Sequence, residues 1–147
     1  MTMVRIDLDP VIKLVERVLR DFPQVAGAYL FGSALEACRP DSDLDLGLIL
    51  EPGIKPDSME GDRLEAAIAL FLPPVEGHPF DLVLLNPEKP LFAFRVIKEG
   101  KLIYCRNWER ITDVIEYVSR RYADLYPRYR NALEEIFAEV IAGGVGP

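Results

Sequence analysis

The stretch FGSALEACRPDSDLDLGLIL, residues 31–50, joins a Gly-Ser pair to a leucine-rich run that two aspartates interrupt. Side chains alternate between the two faces of a strand. One face of the run would therefore carry Leu44, Leu46, Leu48 and Leu50, and the other would carry Asp43, Asp45 and Gly47. Carboxylates beside a buried strand are unfavourable unless a cation meets them. The stretch thus predicts a buried strand with one cation-binding side.

Turn formers and apolar periodicity divide the rest of the chain into helices and strands. A first helix is predicted with Asp9 as its N-cap, Pro10 at its first position and Pro23 as its stop. Strands are predicted over residues 24–31, 43–50, 80–85 and 101–105. Further helices are predicted over residues 61–72, over 90–98 with Gly100 as the C′ residue, and over 108–141 with a break at Pro127. Helices between strands indicate an α/β (α+β) domain, a small mixed β-sheet with flanking helices.

The length and composition of the chain limit its class. A chain of 147 residues, half of them hydrophobic, suits a single well-packed domain. We assign residues 1–105 to the core, 106–142 to C-terminal helices that pack on the core or on a partner, and 143–147 to a disordered tail. No apolar run reaches the ~18 residues of a membrane span. The first residues also lack a secretion signal, so we expect no membrane contact and a cytoplasmic location.

The net charge of −7 argues against stable binding to nucleic acid, because a phosphate backbone is repelled by a surface of that sign. A nucleotide held together with a divalent metal is still allowed. Two cysteines, Cys38 and Cys105, are too few for a disulfide framework or a zinc site. The single histidine, His78, stands between Gly77 and Pro79, and we interpret it as a surface turn residue rather than a catalytic base.

A third aspartate, Asp81, stands near the start of the predicted strand 80–85. If that strand neighbours the strand at 43–50, then Asp43, Asp45 and Asp81 meet at one end of the sheet. Mg²⁺ prefers a few carboxylates, water and substrate phosphate oxygens. Two such ions can clamp the attacking and leaving oxygens of a phosphoryl displacement. The three aspartates therefore predict a magnesium site.

Gly32 and Ser33 follow the first predicted strand, with nine residues between Ser33 and Asp43. A glycine lets the backbone approach a triphosphate closely, and the serine adds a hydroxyl to the backbone amides. Ser33 can also cap the short helix that follows, and the two uses are compatible.

Phe31-Gly32-Ser33, the run RPDSDLDL at 39–46 and Asp81 within FDLVLL resemble the nucleotidyltransferase superfamily that includes DNA polymerase beta. The small size and the segment VIKEGKLIYC at 96–105 are similar to the minimal nucleotidyltransferases, called MNT. The helix with ITDVIEYVSRRYADLYPRYRNAL at 111–133 is similar to their MntA-type antitoxin branch. The resemblance implies a polymerase beta-like nucleotidyltransferase fold with a C-terminal helical extension.

The resemblance also implies roles for single residues. The catalytic metal ligands would be Asp43, Asp45 and Asp81, holding two Mg²⁺ ions, and Asp81 would also help to activate the attacking hydroxyl. The nucleotide-binding residues would be Gly32, Ser33, Arg39 and Ser42. The substrate would be ATP, from which AMP passes to a hydroxyl, expected to be a tyrosine of a partner HEPN-domain toxin. The chain would then be the antitoxin of a toxin–antitoxin pair.

Two alternatives stay open beside this enzyme. The turn after Gly-Ser reads Ala34-Leu35-Glu36, without the basic residue and Arg-Gly that minimal members carry, and Arg39 is the nearest substitute. This favours a non-catalytic antitoxin that neutralises its partner by complex formation, whereas the three carboxylates favour the enzyme. A nucleotidyltransferase for small molecules is the other alternative. The base preference and a homo-oligomeric state are not decided by the sequence.

Overall fold

Four strands form one mixed sheet in the computed structural model, which describes residues 2–142. The strands are β1 (Val25–Phe31), β2 (Leu44–Leu50), β3 (Phe80–Leu84) and β4 (Lys101–Cys105), in the spatial order β3-β2-β1-β4. β1 is antiparallel to both β2 and β4, whereas β2 and β3 are parallel. The mixed sheet predicted from the sequence is confirmed. The tail at 143–147, predicted to be disordered, lies outside the described residues.

Each predicted helix is present, with ends that differ by a few residues. The helices are α1 (Leu8–Leu19), α2 (Met59–Ala69), α3 (Pro90–Glu99) and α4 (Trp108–Ala142), and a 3₁₀ turn (Gly32–Leu35) follows β1. α2 connects β2 to β3, as a parallel pair of strands requires. None of the helices between residues 2 and 142 combines the length and the apolar character needed to cross a membrane.

The predicted start of α1 is wrong by two residues. Asp7, not Asp9, is the N-cap, and its carboxylate accepts a hydrogen bond of 3.1 Å from the backbone N–H of Asp9. Both aspartates can cap a helix, and only the backbone path decides between them. Asp9 and Pro10 consequently lie inside the first turn. The helix ends at Leu19, so Pro23 lies beyond it and does not stop it.

The predicted break at Pro127 is also wrong, because α4 continues through this residue. Proline removes one hydrogen bond to the carbonyl four residues earlier, here that of Ala123. Ala123 is exposed, so water can satisfy its carbonyl. The helix therefore tolerates Pro127 without ending there.

Each face of the sheet carries its own apolar cluster. α1 and α2 cover one face, where Leu44, Leu46, Leu48 and Leu50 are fully or almost fully buried. α3 and α4 cover the other face, where Ile49 of β2 packs with Val96 and Ile111. The period-two prediction for β2 is confirmed, because its leucines and Ile49 belong to different clusters. Asp45 and Gly47 share the face of α3 and α4.

Gly100 is the C-cap of α3 and not the predicted C′ residue, because the helix continues to Glu99, and Gly100 is extended with φ of −83°. The glycine is therefore not needed here for a left-handed conformation. A Cβ atom at this position would lie 2.5 Å from the Val96 carbonyl oxygen and 3.0 Å from that of Leu30. Gly100 is required because the chain passes between two backbone carbonyls as it enters β4.

Replacing Gly100 by alanine should lower the free energy of unfolding by about 1–3 kcal/mol, the usual cost of overpacking. The two carbonyls belong to α3 and β1 and cannot both retreat. Urea denaturation of the Gly100→Ala variant measures the change. Gly53→Ala is the matched control, since a Cβ atom there meets nothing within 4 Å. Equal losses in both variants would contradict the close-approach explanation.

Candidate functional site

Asp45 and Asp81 lie directly opposite each other in the parallel ladder of β2 and β3. The strand adjacency on which the sequence prediction depended is therefore present. Asp43 immediately precedes β2, so all three aspartates lie at the same end of the sheet. Asp43 and Asp81 are exposed, whereas Asp45 is half-buried. The structure thus brings two chain segments, 36 residues apart, to one acidic point.

The negative charges of the three aspartates repel one another. Burial raises the pKa of the Asp45 carboxyl above its usual value, and the negative charges of Asp81 and then Asp43 raise it further. A nearby like charge disfavours the ionised form of a carboxyl group. The cluster therefore favours a proton or a cation at Asp45.

A fourth carboxylate, which the sequence reasoning missed, belongs to Glu65 on α2. Burial, then the charge of Asp62, then that of Asp81 raise the pKa of Glu65. The helix that connects β2 to β3 thus adds negative potential close to Asp81. Helical spacing alone could not reveal this, because it depends on how α2 lies against β3.

The aspartate carboxylates are chemically suitable ligands for Mg²⁺, although they do not surround a single point as a complete set of ligands. Among residues 2–142, no three His, Cys, Asp or Glu side chains are arranged so that together they could hold a metal ion. Mg²⁺ does not need such a cage, because it binds through one or two carboxylates and takes water and substrate phosphates as its other ligands. Asp45 with one exposed neighbour meets that requirement.

Gly32 places the backbone against the Asp45 carboxylate. It begins the 3₁₀ turn with φ of +78°, a left-handed conformation that favours glycine. A Cβ atom at this position would also overlap Oδ2 of Asp45. Two independent constraints therefore require glycine, and both arise because the turn passes directly over Asp45.

Ser33 is exposed within the same turn. Its carbonyl accepts a hydrogen bond of 3.0 Å from the Glu36 amide. The N-cap of the turn is Phe31, which makes no side-chain capping bond, so the alternative use of Ser33 as a cap is wrong. The Ser33 side chain belongs to the exposed end of the sheet where the aspartates lie.

Arg39 and Ser42 lie in the loop that leads to Asp43. The Arg39 guanidinium forms an ion pair of 3.5 Å with Asp41, and both side chains are largely exposed. The Ser42 amide donates to the Arg39 carbonyl at 3.1 Å, which closes the loop into a turn. Arg39 thus lies four residues before Asp43, already paired with another acid.

The interpretation of His78 as a surface turn residue is wrong, because the residue is only 4% exposed. Val75 and His78 pair across a two-residue turn in which Glu76 and Gly77 both have positive φ. This tight turn folds the imidazole ring inward. The Nδ1 atom lies 2.8 Å from the Ser42 carbonyl oxygen, and since a carbonyl only accepts, Nδ1 donates.

The segment around His78 holds the backbone on both sides of Asp43. His78 binds the Ser42 carbonyl, and the Pro79 carbonyl accepts a bond of 2.7 Å from the Leu44 amide. The same segment continues directly into Asp81. The positions of Asp43 and Asp81 are therefore linked through the backbone as well as through charge.

A groove of about 270 Å³ lies beside the second half of β3, where Val83 follows Asp81 by two residues. Its lining residues are Pro56, Asp57, Val83, Leu84, Asn86, Lys89 and Phe92. Phe92 packs edge-on against Phe31, with 5.9 Å between ring centroids, which connects the groove to the residue before Gly32. Lys89 contributes an exposed cation that the sequence reasoning missed. A larger cavity of about 540 Å³, beside Arg17 and Phe71, has no residue of β3 in its lining.

The Asp45→Asn variant should be more stable than the parent at pH 7 in EDTA, by on the order of 0.5 kcal/mol, the scale of a cross-strand pair. The folded-state pKa of Asp45 is raised, so its ionised form opposes folding. Stability from this group is therefore present at acid pH and is lost as pH rises from about 3.8 through the folded pKa.

Denaturation curves of parent and variant across this pH range measure the difference, which should vanish at low pH. Asp124→Asn, on the exposed part of α4, is the control and should change little. A variant at Asp45 that is less stable than the parent at pH 7 would show that the carboxylate is held by a favourable interaction.

Replacing His78 by leucine should cost about 1–3 kcal/mol, because the half-buried Ser42 carbonyl loses its donor. Asparagine carries an N–H donor near the place of Nδ1, so His78→Asn should be the more stable of the two variants. Urea denaturation of both variants tests the ranking. If leucine is tolerated as well as asparagine, the hydrogen bond contributes nothing.

The family model described as polymerase beta, nucleotidyltransferase matches residues 13–109. No curated protein sequence matches the chain. Three solved structures illustrate the likeness in fold, each at 17–18% sequence identity. One is an MntA–HpeT toxin–antitoxin complex with two Asp-to-Glu mutations, at a TM-score of 0.63, covering 90% of this chain and 99% of that chain.

The second is an MNT antitoxin in complex with a tri-AMPylated HEPN toxin of Shewanella oneidensis. Its TM-score is 0.64, with 89% of this chain and 99% of that chain covered. The third is a toxin–antitoxin complex with AMP-PNP, at a TM-score of 0.62, with 86% and 98% covered. The family model spans most of the chain, from α1 through β4, and includes all three aspartates and Gly32. The chain therefore belongs to the polymerase beta nucleotidyltransferase family.

Proposed function

We propose that the protein is a Mg²⁺-dependent nucleotidyltransferase that moves AMP from ATP to a tyrosine hydroxyl of a HEPN-type toxin, and so acts as an antitoxin. One observation carries the proposal: Asp45 and Asp81 lie opposite each other, with the Gly32 backbone directly over Asp45. Carboxylates and a glycine turn at one sheet end suit a nucleotide–metal complex better than they suit a stable apo surface.

Asp43, Asp45 and Asp81 are the residues that would hold the metal. Mg²⁺ bound there would neutralise their mutual repulsion and the charge of the phosphates, which is the chemistry it supplies in phosphoryl transfer. The raised pKa of Asp45 supports this assignment, because the group has an unmet demand for positive charge. Asp81 is exposed and can therefore meet an incoming hydroxyl.

Gly32 and Ser33 would contact the phosphates through backbone amides and the serine hydroxyl. Ser42 is half-buried in the turn before Asp43 and would complete that lining. Two cations are available to the triphosphate in place of the missing Arg-Gly. Arg39 would have to exchange Asp41 for phosphate, whereas Lys89 lines the groove beside β3, the strand that carries Asp81.

The transfer balances with these groups. The oxygen of the acceptor tyrosine attacks the α-phosphorus of ATP and forms a new P–O bond. The bond from that phosphorus to the oxygen bridging to the β-phosphate breaks, and pyrophosphate leaves. The hydroxyl proton passes to a carboxylate, for which the exposed Asp81 is the candidate.

The nature of the partner is supported by the structural neighbours. One of them is a complex of MntA with HpeT. Another is a complex of an MNT antitoxin with a HEPN toxin, and that toxin is AMPylated. A third contains the ATP analogue AMP-PNP. The two mutated aspartates of the MntA–HpeT complex stand two positions apart, the spacing of Asp43 and Asp45 in this chain.

A binding-only antitoxin is the second candidate. The observation that favours it is the 3₁₀ turn, which has the buried Ala34 and the half-buried Leu35 where minimal members carry a basic residue, and is followed by the exposed Glu36. A negative charge there weakens triphosphate binding. The enzyme is preferred because Asp81 has no role in a surface that only covers its partner.

Incubation with labelled ATP, Mg²⁺ and the proposed partner, a HEPN-type toxin, should label the partner on tyrosine. Asp43→Asn and Asp81→Asn should each reduce the rate at least ~100-fold, because charge stabilisation at the reacting phosphate is lost. Asp113→Asn on α4 is the charge-matched control and should retain the activity.

The other outcomes distinguish the alternatives. A stable complex without label would support the binding-only antitoxin. Label on an aminoglycoside hydroxyl instead of the protein would support the small-molecule transferase. Lys89→Gln should raise the ATP concentration needed for half-maximal rate, and an unchanged requirement would exclude this residue from triphosphate binding.

A further inference from the structure

The second half of α4 extends beyond the sheet and has no partner within the described chain. Tyr122 is its last aromatic anchor, stacked on Phe94 of α3 with 3.9 Å between ring centroids, and Tyr126 stacks in turn on Tyr122 at 5.2 Å. Every residue from 126 to 136 is exposed. A helix that leaves the core for several turns is stable only marginally by itself.

The exposed part carries an apolar stripe formed by Tyr126, Tyr129, Leu133 and Ile136. Their exposed fractions lie between 39% and 55%. The spacings of three, four and three residues follow the a and d positions of a heptad, which place side chains along one seam of a helix. Such a stripe favours burial against another helix.

The charges around the stripe change sign along the helix. Residues 120–130 contain four arginines and one aspartate, whereas residues 132–142 contain three glutamates and no basic residue. This order is unfavourable for a single helix, because the C-terminal end of a helix prefers positive charge. The Arg130–Glu134 ion pair of 3.2 Å also runs in the weaker direction, with the acid C-terminal to the base.

We infer that the stripe is a self-association surface on which two copies of this chain pair their α4 helices in antiparallel fashion about Asn131. Antiparallel pairing sets the basic half of each helix against the acidic half of its partner, whereas parallel pairing opposes like charges. The macrodipoles of the two helices are also antiparallel, so the positive end of each lies toward the negative end of the other.

The register follows from the spacing of the stripe. With the two-fold axis level with Asn131, Tyr129 faces Leu133 of the second copy, each two residues from the axis. Tyr126 likewise faces Ile136 of the second copy, each five residues away. Arg128 and Glu134 stand at the same level, three residues from the axis. No other antiparallel register pairs all four apolar residues.

The contact covers about three helical turns, so the dimer is expected to be reversible and dependent on concentration. The inference does not rest on the proposed function, because it uses no residue of the acidic cluster. A HEPN-type partner that docks on the same stripe is the competing occupant.

Sedimentation velocity of the full chain over a concentration series tests the dimer. Leu133→Asp should weaken dimerisation at least about ten-fold, as expected for a charge at the centre of a small interface. Asn131→Asp adds the same charge off the stripe and should dimerise like the parent. Circular dichroism should show the same helix content in both, since both positions are exposed.

Disulfide trapping tests the direction. In a Cys105→Ser background, which leaves only the buried Cys38, a mixture of Tyr129→Cys and Leu133→Cys chains should cross-link under mild oxidation. Neither variant alone should do so. Self-cross-linking of Tyr129→Cys would indicate parallel pairing and overturn the inference.

Two further results would also overturn it. One is a monomeric parent chain across the whole concentration series, with Leu133→Asp instead abolishing the complex with the HEPN protein. The other is a dimer that Leu133→Asp leaves intact. Both are separable from the transfer assay, because Leu133→Asp leaves the acidic cluster unchanged.

Discussion

The repulsion between Asp45 and Asp81 across one pair of parallel strands is the constraint on which the site depends. This repulsion alone does not separate the strands, because the leucines of β2 are buried on one face and Ile49 is buried on the other. Burial stabilises the strands by about 25 cal/mol for each Å² of apolar surface removed from water. Summed over several buried leucines, this exceeds the screened repulsion between two partly exposed carboxylates. The fold therefore holds like charges together at low cost and keeps them available for a cation.

The groups around this pair are arranged to preserve it. The glycine turn leaves room for the Asp45 carboxylate, and the His78 and Pro79 bonds fix the backbone that carries Asp43. Glu65 adds further negative potential from α2. A surface selected only for solubility has no need for such a concentration of backbone support. This is the physical link between the architecture and membership of a nucleotidyltransferase family.

The sequence predicted the parts of the structure that depend on local pattern. Alternation of leucine and aspartate identified β2 and its two faces, and the third aspartate in a second apolar run identified β3. The contributions of His78 and Lys89 could not be read in the same way, because they depend on contacts with Ser42 and with the groove beside β3. The cap of α1 was misplaced since two aspartates compete for it. The helix break at Pro127 could not be predicted correctly from the sequence, because proline is tolerated only where the carbonyl that loses its donor is exposed, as that of Ala123 is here.

The edge position of β3 has a consequence for control of the protein. Gly32, Asp43 and Asp45 lie on one contiguous hairpin that β4 supports from the other side, whereas Asp81 arrives on an outer strand that is only half-buried and pairs with β2 alone. Local fraying of an outer strand requires less free energy than global unfolding. Detachment of β3 would therefore remove Asp81 from the acidic centre while β1, β2 and β4 stay paired. The state of this one edge strand would then decide whether the centre is complete.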